Sequence, residues 1–265
     1  MIEYSVFPGG KKRILSFTYD DGNAPDARLI ELFNRYGMKS AFNLNGYRYA
    51  DATEEELQAL RELYRGHEVS NHGYLHGWPE RMPGASLVQE LVECRRMLEK
   101  IFGTHVVGYV YPNGSFNDDA VTAVRLCDLA YAIHGRSNNF KLPDNFYMWP
   151  ATCHHRDARE YATKFLKWID SYWYGPLFII CGHSHDFRKE EQWEEMEQVL
   201  QMLAFNDKIW YATPLEIRDY IVAQRSLRIS IDEKRFTNPT AIDVWVEKDR
   251  SQVICIPAGQ TVVLE

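Results

Sequence analysis

The stretch ILSFTYDDGNAPD, residues 14–26, places two acidic residues directly after an apolar run. The run is rich in aliphatic and aromatic side chains that favour strands, so it predicts a buried β-strand. Asp20 and Asp21 then stand at the carboxyl end of that strand and are followed by Gly22. Because Asp-Gly is a common turn dipeptide, a plain turn is the simpler interpretation of these residues alone. A chemical role for the acidic pair needs support from the rest of the chain.

Strand and helix patterns alternate from this stretch to about residue 222. Such alternation predicts a mostly parallel sheet with helical crossovers. Roughly seven strand–helix units favour a (β/α)7-type barrel over an open sheet. Helix starts are predicted at the capping pairs Thr53–Glu56 and Ser86–Gln89, at Asn117 and at Pro214.

The sequence pattern changes after about residue 225, where short segments of alternating polarity, joined by turns, replace the helical patterns. Residues 226–265 are therefore predicted to form a small C-terminal β extension, packed on a barrel formed by residues 1–225. So short a segment is too small to be stable alone. It is either a cover for the barrel or a sugar-binding module, and its size favours the cover.

Bulk properties exclude several classes of protein. The chain has 265 residues and a formal net charge of -7, which argues against a general nucleic-acid binder. Its five cysteines are scattered without a CxxC pair, so neither a zinc ribbon nor a disulfide framework is indicated. No leader-like or membrane-spanning apolar run is visible, so we expect a cytoplasmic protein without membrane insertion. The sequence leaves the oligomeric state open.

Polar clusters stand where the predicted strands end, which is where parallel α/β folds place their sites. On a helix, residues four apart share one face with Cβ atoms about 6 Å apart, which suits His72 and His76 as a pair. A lone HxxxH is weak, and a chance pair is the alternative. Joined to an Asp from another strand end, the pair would form a two-His, one-carboxylate metal set. The clusters are Asp20 and Asp21, His72 and His76, Tyr111 to Asn113, and His183 with Ser184 and His185.

Three segments together resemble the polysaccharide deacetylase (NodB homology) family, carbohydrate esterase family 4. Residues 18–22, TYDDG, are similar to its first motif, TFDDG, and residues 72–76, HGYLH, are similar to its second. Residues 177–187, LFIICGHSHDF, are similar to its last motif and look closest to a branch with a Gly-His-Ser signature. The resemblance covers about residues 12–222 and implies a distorted (β/α)7 barrel.

The resemblance also implies a reaction and its residues. Asp20 takes the place of the general base, and His183 takes that of the catalytic acid. Asp21, His72 and His76 take the places of the metal ligands, for a divalent ion with zinc first and cobalt, nickel or manganese as alternatives. The implied enzyme removes N-acetyl or O-acetyl groups from an oligo- or polysaccharide that contains amino sugars, by attack of metal-bound water on the acetyl carbonyl.

The chain departs from the family pattern in two places. The third motif of the family often begins with an Arg that orients the catalytic Asp, but Val110 stands at that position and Tyr111, Pro112 and Asn113 follow as predicted substrate-binding residues. How Asp20 is held is therefore open. The backbone N–H of Asn113 is the expected donor to the oxyanion.

The fourth motif has no clean counterpart, and residues 142–155, LPDNFYMWPATCHH, occupy its region. There Trp149 is predicted as a wall of the sugar pocket. His154 and His155 are predicted as contacts of the substrate or of the catalytic groups, with plain loop positions as the alternative.

Two rival functions stay open at this point. Relatives in the superfamily hydrolyse other small or cyclic amides, and fold constrains substrate only weakly. The missing Arg also admits a non-catalytic, carbohydrate-binding pseudoenzyme.

Overall fold

The computed structural model describes residues 1–172 and 174–264, whose strands and helices alternate as the sequence predicts. The strands are β1 (Ile2–Glu3), β2 (Arg13–Asp20), β3 (Ser40–Leu44), β4 (Glu68–Asn71), β5 (Gly108–Val110), β6 (Tyr131–Arg136), β7 (Trp149–Ala151), β8 (Cys153–His154), β9 (Leu177–His183), β10 (Ile209–Tyr211), β11 (Arg228–Ile229), β12 (Arg235–Thr237), β13 (Val244–Lys248), β14 (Gln252–Ile256) and β15 (Thr261–Val263). The helices are α1 (Asp26–Arg35), α2 (Glu54–Leu63), α3 (Gly84–Phe102), α4 (Asp118–Leu126), α5 (Ala158–Lys167), α6 (Glu190–Leu203) and α7 (Pro214–Arg225).

Strands β2 to β10 form one parallel sheet with β2 near its centre. β2 pairs along its length with β9, while β10 pairs with its first residues and β3 with its last. The segment 149–154 closes the sheet, because β7 pairs with β6 and β8 pairs with β9. The predicted distorted (β/α)7-type barrel is therefore confirmed.

The alternation of side chains along β2 separates the packing face from the site face. Phe17 and Tyr19 have no exposed surface and pack with α1 residues such as Phe33. Thr18 and Asp20 face the other way and line a cavity at the carboxyl end of the barrel. The opening stretch is thus both a core strand and the support of a site.

Three of the described helices begin at the residues that the sequence predicts. Thr53 and Glu56 form a capping box at α2, Asn117 accepts from the backbone N–H of Ala120 at α4, and Pro214 opens α7. The prediction for Ser86 is wrong. α3 already begins at Gly84, because Pro83 with its extended ψ of 144° occupies the position before the first helical residue.

The residues after α7 form two small antiparallel sheets, β1-β13-β14 and β11-β12-β15. Their buried side chains pack on the end of α7, where Ala223 and Leu227 belong to the same hydrophobic cluster as Phe236. The small β extension is thus confirmed. β1 comes from the N-terminus and pairs with β13, so the N-terminal residues join this sheet, and the domain boundary at residue 225 stays a prediction.

Among the helices in the described residues, none has both the length and the apolar character needed to cross a membrane.

Candidate metal centre and catalytic cavity

The register of the barrel strands places four polar residues in one layer. Asp20 on β2 lies level with His183 on β9 and with Asn43 on β3. Asn43 in turn lies level with Ser70 on β4. Because side chains level with one another on neighbouring strands share a face, these four meet inside the carboxyl end of the barrel.

The predicted ligands Asp21, His72 and His76 converge above this layer. Oδ1 of Asp21 lies 3.7 Å from Nε2 of His72 and 3.6 Å from Nε2 of His76. The expected helical turn between the two imidazoles is absent from the described chain, which forms a loop there with His76 at a φ of 59°. Asp21 also has a positive φ, of 80°. Two non-glycine residues in this rarely populated conformation are typical of functional sites.

The chemistry of this donor set fits a divalent cation. Nδ1 of His72 contacts the backbone oxygen of Val110 at 2.9 Å, which assigns the ring proton to Nδ1 and leaves the Nε2 lone pair free. Burial is the largest cause that lowers the pKa of His76, and the neighbouring His72 imidazole lowers it further. Two imidazoles and a carboxylate are ligands that zinc and related ions accept, with further coordination positions left open.

The predicted base and acid stand beside these ligands. Nε2 of His183 lies 4.0 Å from Oδ2 of Asp20 and 4.0 Å from Oδ2 of Asp21. All three side chains line a cavity of about 370 Å³ together with the imidazoles of His72 and His76. The cavity has room for an acyl group and the start of a sugar ring, so the arrangement is suited to hydrolysis at a small acyl substituent.

On the side of its ring away from Asp20 and Asp21, His183 faces a further carboxylate. Oδ2 of Asp186 lies 3.8 Å from Nδ1 of His183 and 3.4 Å from Nε2 of His154. A guanidinium nitrogen of Arg156 lies 3.1 Å from the other oxygen of Asp186. Burial opposes the charged form of Asp186, but Arg156 and the neighbouring imidazoles outweigh it and lower the pKa of this carboxyl. Asp186 is therefore a charged partner for the imidazole of His183.

His154, His183 and Asp186 also bring three ligand atoms within 4.8 Å of one another, a spacing that a metal ion would accept. Two contacts favour electrostatic interactions around Asp186 over a bound ion. Nδ1 of His154 accepts the backbone N–H of Arg156 at 3.3 Å, so the ring proton lies on Nε2 and faces Asp186. Burial is the largest cause that lowers the pKa of His154 to about 4, and Arg156 is the next. The Arg156 guanidinium also neutralises the Asp186 carboxylate, whose negative charge a metal ion would need.

Residues 8–132 match the sequence model of the polysaccharide deacetylase family. The predicted relationship to the polysaccharide deacetylases is confirmed. The matched range carries both of the first two motifs, with Asp20, Asp21, His72 and His76. The Gly-His-Ser branch lies beyond that range and stays a prediction.

A curated relative is the peptidoglycan-N-acetylmuramic acid deacetylase PdaC of Bacillus subtilis (strain 168), 25% identical over 126 residues. The match covers 47% of this chain and 26% of PdaC, so the chain spans about a quarter of that relative's length.

Solved structures with the same fold extend the likeness to most of the chain. A Mycobacterium smegmatis protein named as a polysaccharide deacetylase aligns with a TM-score of 0.64 and 16% identity, over 85% of this chain and 96% of its own. The PuuE allantoinase aligns with a TM-score of 0.66 and 13% identity, over 82% and 92%. A family 4 acetyl xylan esterase from Clostridium thermocellum, in complex with cobalt, aligns with a TM-score of 0.52 and 17% identity, over 77% and 90%. At these identities the structures establish the fold alone.

Among the residues predicted to bind substrate, Tyr111 and Asn113 line the cavity. Pro112 and Trp149 are not among the described residues that line this cavity. Trp149 has no exposed surface and packs edge-on against Tyr131 and Phe146 in the core. The prediction of Trp149 as a sugar wall is therefore wrong, because β7 turns the indole into the barrel packing.

His154 and His155 have different surroundings. His154 reaches the Asp186 carboxylate, as described above. His155 is buried beside the rings of Tyr19 and Phe187, with ring centres 5.8 Å and 4.3 Å away. A Cβ on Gly182 would come within 2.1 Å of Nδ1 of His155, so this part of β9 needs glycine. The structure thus gives His155 a packing position instead of a substrate contact.

Three residues of the site were not predicted from the sequence. Asn43 contacts Asp20, Asp186 contacts His183, and Arg136 lines the cavity. Asp186 follows His183 by three residues, which is a local signal that the sequence did offer. Asn43 is recognised only through strand register. His185 also lines the cavity, although β9 ends at His183, and its Nδ1 lies 2.8 Å from Nδ2 of Asn23.

Proposed function

We propose that this chain is a metal-dependent hydrolase that removes N-acetyl groups from an amino-sugar-containing oligo- or polysaccharide. The observation that carries the proposal is that Oδ1 of Asp21 lies within 3.7 Å of Nε2 of both His72 and His76, beside a second carboxylate and a third imidazole. A divalent ion held there would polarise an acyl carbonyl and acidify a water molecule.

The chain's own residues supply the proton transfers. Asp20 accepts a proton from the attacking water as the new C–O bond forms. His183 gives its Nε2 proton to the amine nitrogen as the C–N bond breaks, so acetate and a free amine leave. The charged Asp186 on the other side of the ring stabilises the imidazolium that this step requires. The backbone N–H of Asn113 is the proposed donor to the oxyanion.

The family match supports a carbohydrate substrate, and PdaC acts on N-acetylmuramic acid in peptidoglycan according to its name. The cavity is open and ends beside the metal ligands, as removal of a short acyl group from a large glycan requires. We extend the proposal to N-acetylated glycans as a class, with zinc as the first metal to test.

The test measures bound metal and released acetate on the same purified protein. After loading with zinc and dialysis, we expect about one ion per chain and acetate release from chitooligosaccharides or peptidoglycan fragments. Asp21→Ala should lose both the ion and the activity. Asp20→Asn should keep the ion and lose roughly 10²- to 10⁴-fold in kcat, the range for a general base.

Acetylated xylan and cyclic imides complete the substrate panel, because the acetyl xylan esterase and the allantoinase share this fold. Cleavage of an imide without acetate release from glycans would replace the proposal with a cyclic amidase. Glycan binding without turnover by the metal-loaded protein would make the chain a pseudoenzyme. Activity that is unchanged in Asp21→Ala would exclude the metal mechanism.

A further inference from the structure

The carboxylate of Asp20 has a buried amide as its hydrogen-bond partner. Nδ2 of Asn43 donates to Oδ1 of Asp20 at 2.6 Å and to Oγ1 of Thr18 at 2.7 Å. Asn43 has no exposed surface, so water does not compete for these contacts. A hydrogen bond to a charged acceptor in such surroundings is among the stronger ones in proteins.

Acceptor-only neighbours fix the direction of this amide, because Oδ1 of Asp20 and the backbone oxygen of Tyr19, 3.2 Å from Nδ2, cannot donate to it. Oγ of Ser70 lies 2.6 Å from Oδ1 of Asn43 and donates to it. With the amide reversed, its oxygen would face the Asp20 carboxylate with no proton between them, which is repulsive. The amide therefore presents its N–H groups to β2.

This contact leaves one oxygen of Asp20 free for chemistry. Oδ1 is occupied by Asn43, while Oδ2 faces His183 across 4.0 Å at the cavity. The amide is neutral, so it orients the carboxylate without adding a second cation beside the metal ligands.

We propose that Asn43 is the positioning residue for Asp20, with Ser70 holding Asn43 in turn. This inference rests on the proposed function, in which Asp20 is the base. It also accounts for the apolar Val110, which is buried and stands where the family often has an Arg. In this chain the residue that orients the base comes from the neighbouring strand β3.

Kinetics on the best substrate of the panel test the proposal. Asn43→Ala should lower kcat roughly 10- to 100-fold, as loss of a contact behind a functional group typically does, with KM and bound metal unchanged. In an Asp20→Asn background, Asn43→Ala should lower the residual kcat by less than about twofold, because the carboxylate base that Asn43 orients is already gone. The matched control is Asn238→Ala, which removes another buried amide with two backbone contacts, in the β extension, and should leave kcat unchanged.

A kcat within about twofold of the wild type, or the same loss in both backgrounds, would overturn the proposal. If Asn43→Ala does not fold, Ser70→Ala decides, with a severalfold loss of kcat expected and no loss contradicting it. Crystal structures of the wild type and Asn43→Ala give a readout apart from activity: the Asp20 carboxylate should leave its single rotamer. An unmoved Asp20 refutes the role of Asn43, whereas a wild type that releases no acetate refutes the proposed function alone.

Discussion

At the scale of single residues, the proposed mechanism depends on how His183 is held as much as on the proposed metal ligands. Its imidazole has one nitrogen toward Asp20 and Asp21 and the other toward Asp186. Asp186 also contacts Arg156, which keeps the carboxylate charged. A charged carboxylate beside Nδ1 orients the ring and would stabilise the imidazolium that forms during proton transfer.

Replacement of Asp186 tests this arrangement. Asp186→Asn keeps the shape of the side chain but removes the charge, so kcat should fall roughly 10- to 100-fold while bound metal stays the same. Steady-state kinetics with metal analysis measure both quantities. Asp170→Asn, which alters an exposed ion pair with Lys208, is the control and should change neither. A normal kcat in Asp186→Asn would mean that His183 needs no carboxylate partner.

At the scale of elements, helix α1 begins with a buried acidic residue, Asp26. Asp26 is 1% exposed and accepts the hydroxyl of Tyr64 at 2.8 Å. Burial is the largest cause that raises the pKa of Asp26, from 3.8 to about 6. Between about pH 4 and 6 the folded protein holds a proton that the unfolded chain has released, so stability falls as the pH rises through this window.

Asp26→Asn should remove this dependence, since an amide does not titrate and its oxygen still accepts from Tyr64. Relative to the wild type, the variant should gain on the order of 2–3 kcal/mol in the free energy of unfolding between pH 4 and pH 7. Urea unfolding of both proteins at the two pH values measures the difference. A wild type and a variant with parallel pH profiles would show that Asp26 is not the group responsible.

The elements also show how much of the fold and of the candidate site could be predicted from the sequence. The capping residues predicted where three of the described helices begin, and the alternation of strands and helices predicted a barrel, because these signals are local. The convergence of Asp21, His72 and His76 followed from strand ends that share one edge. Asn43 could not be found this way, because its contact depends on register between β2 and β3.

The prediction that Trp149 forms a wall of the sugar pocket was wrong for a related reason. An aromatic residue in a loop-like stretch fits a sugar wall and a core equally well, and only the pairing of β7 with β6 decides that the indole is buried. The helical argument for His72 and His76 chose two imidazoles that the structure does bring together, but the chain between them is a loop and not a helix. Loop geometry at positive φ is set by packing around the site, which a single sequence does not display.

At the scale of the whole molecule, the β extension and the barrel share a hydrophobic cluster. Phe236 has no exposed surface and lies in that cluster with Ala223 and Leu227 at the end of α7. The cluster adjoins the strand β13, which pairs with the N-terminal β1. Both ends of the chain thus cover the same side of the barrel, which favours the role of a cover over that of a sugar-binding module.

Phe236→Ala distinguishes these two roles. Removal of a buried phenyl ring should lower the free energy of unfolding by about 3–5 kcal/mol, through lost burial and the cavity that remains. KM for the glycan substrate should stay unchanged at temperatures where the variant is folded, because the described residues around the catalytic cavity do not include Phe236. Ile231→Ala, at a fully exposed position of the same extension, is the control and should leave stability and KM unaltered. If KM instead rises for long glycans while stability is retained, the extension binds sugar and its packing on α7 is secondary.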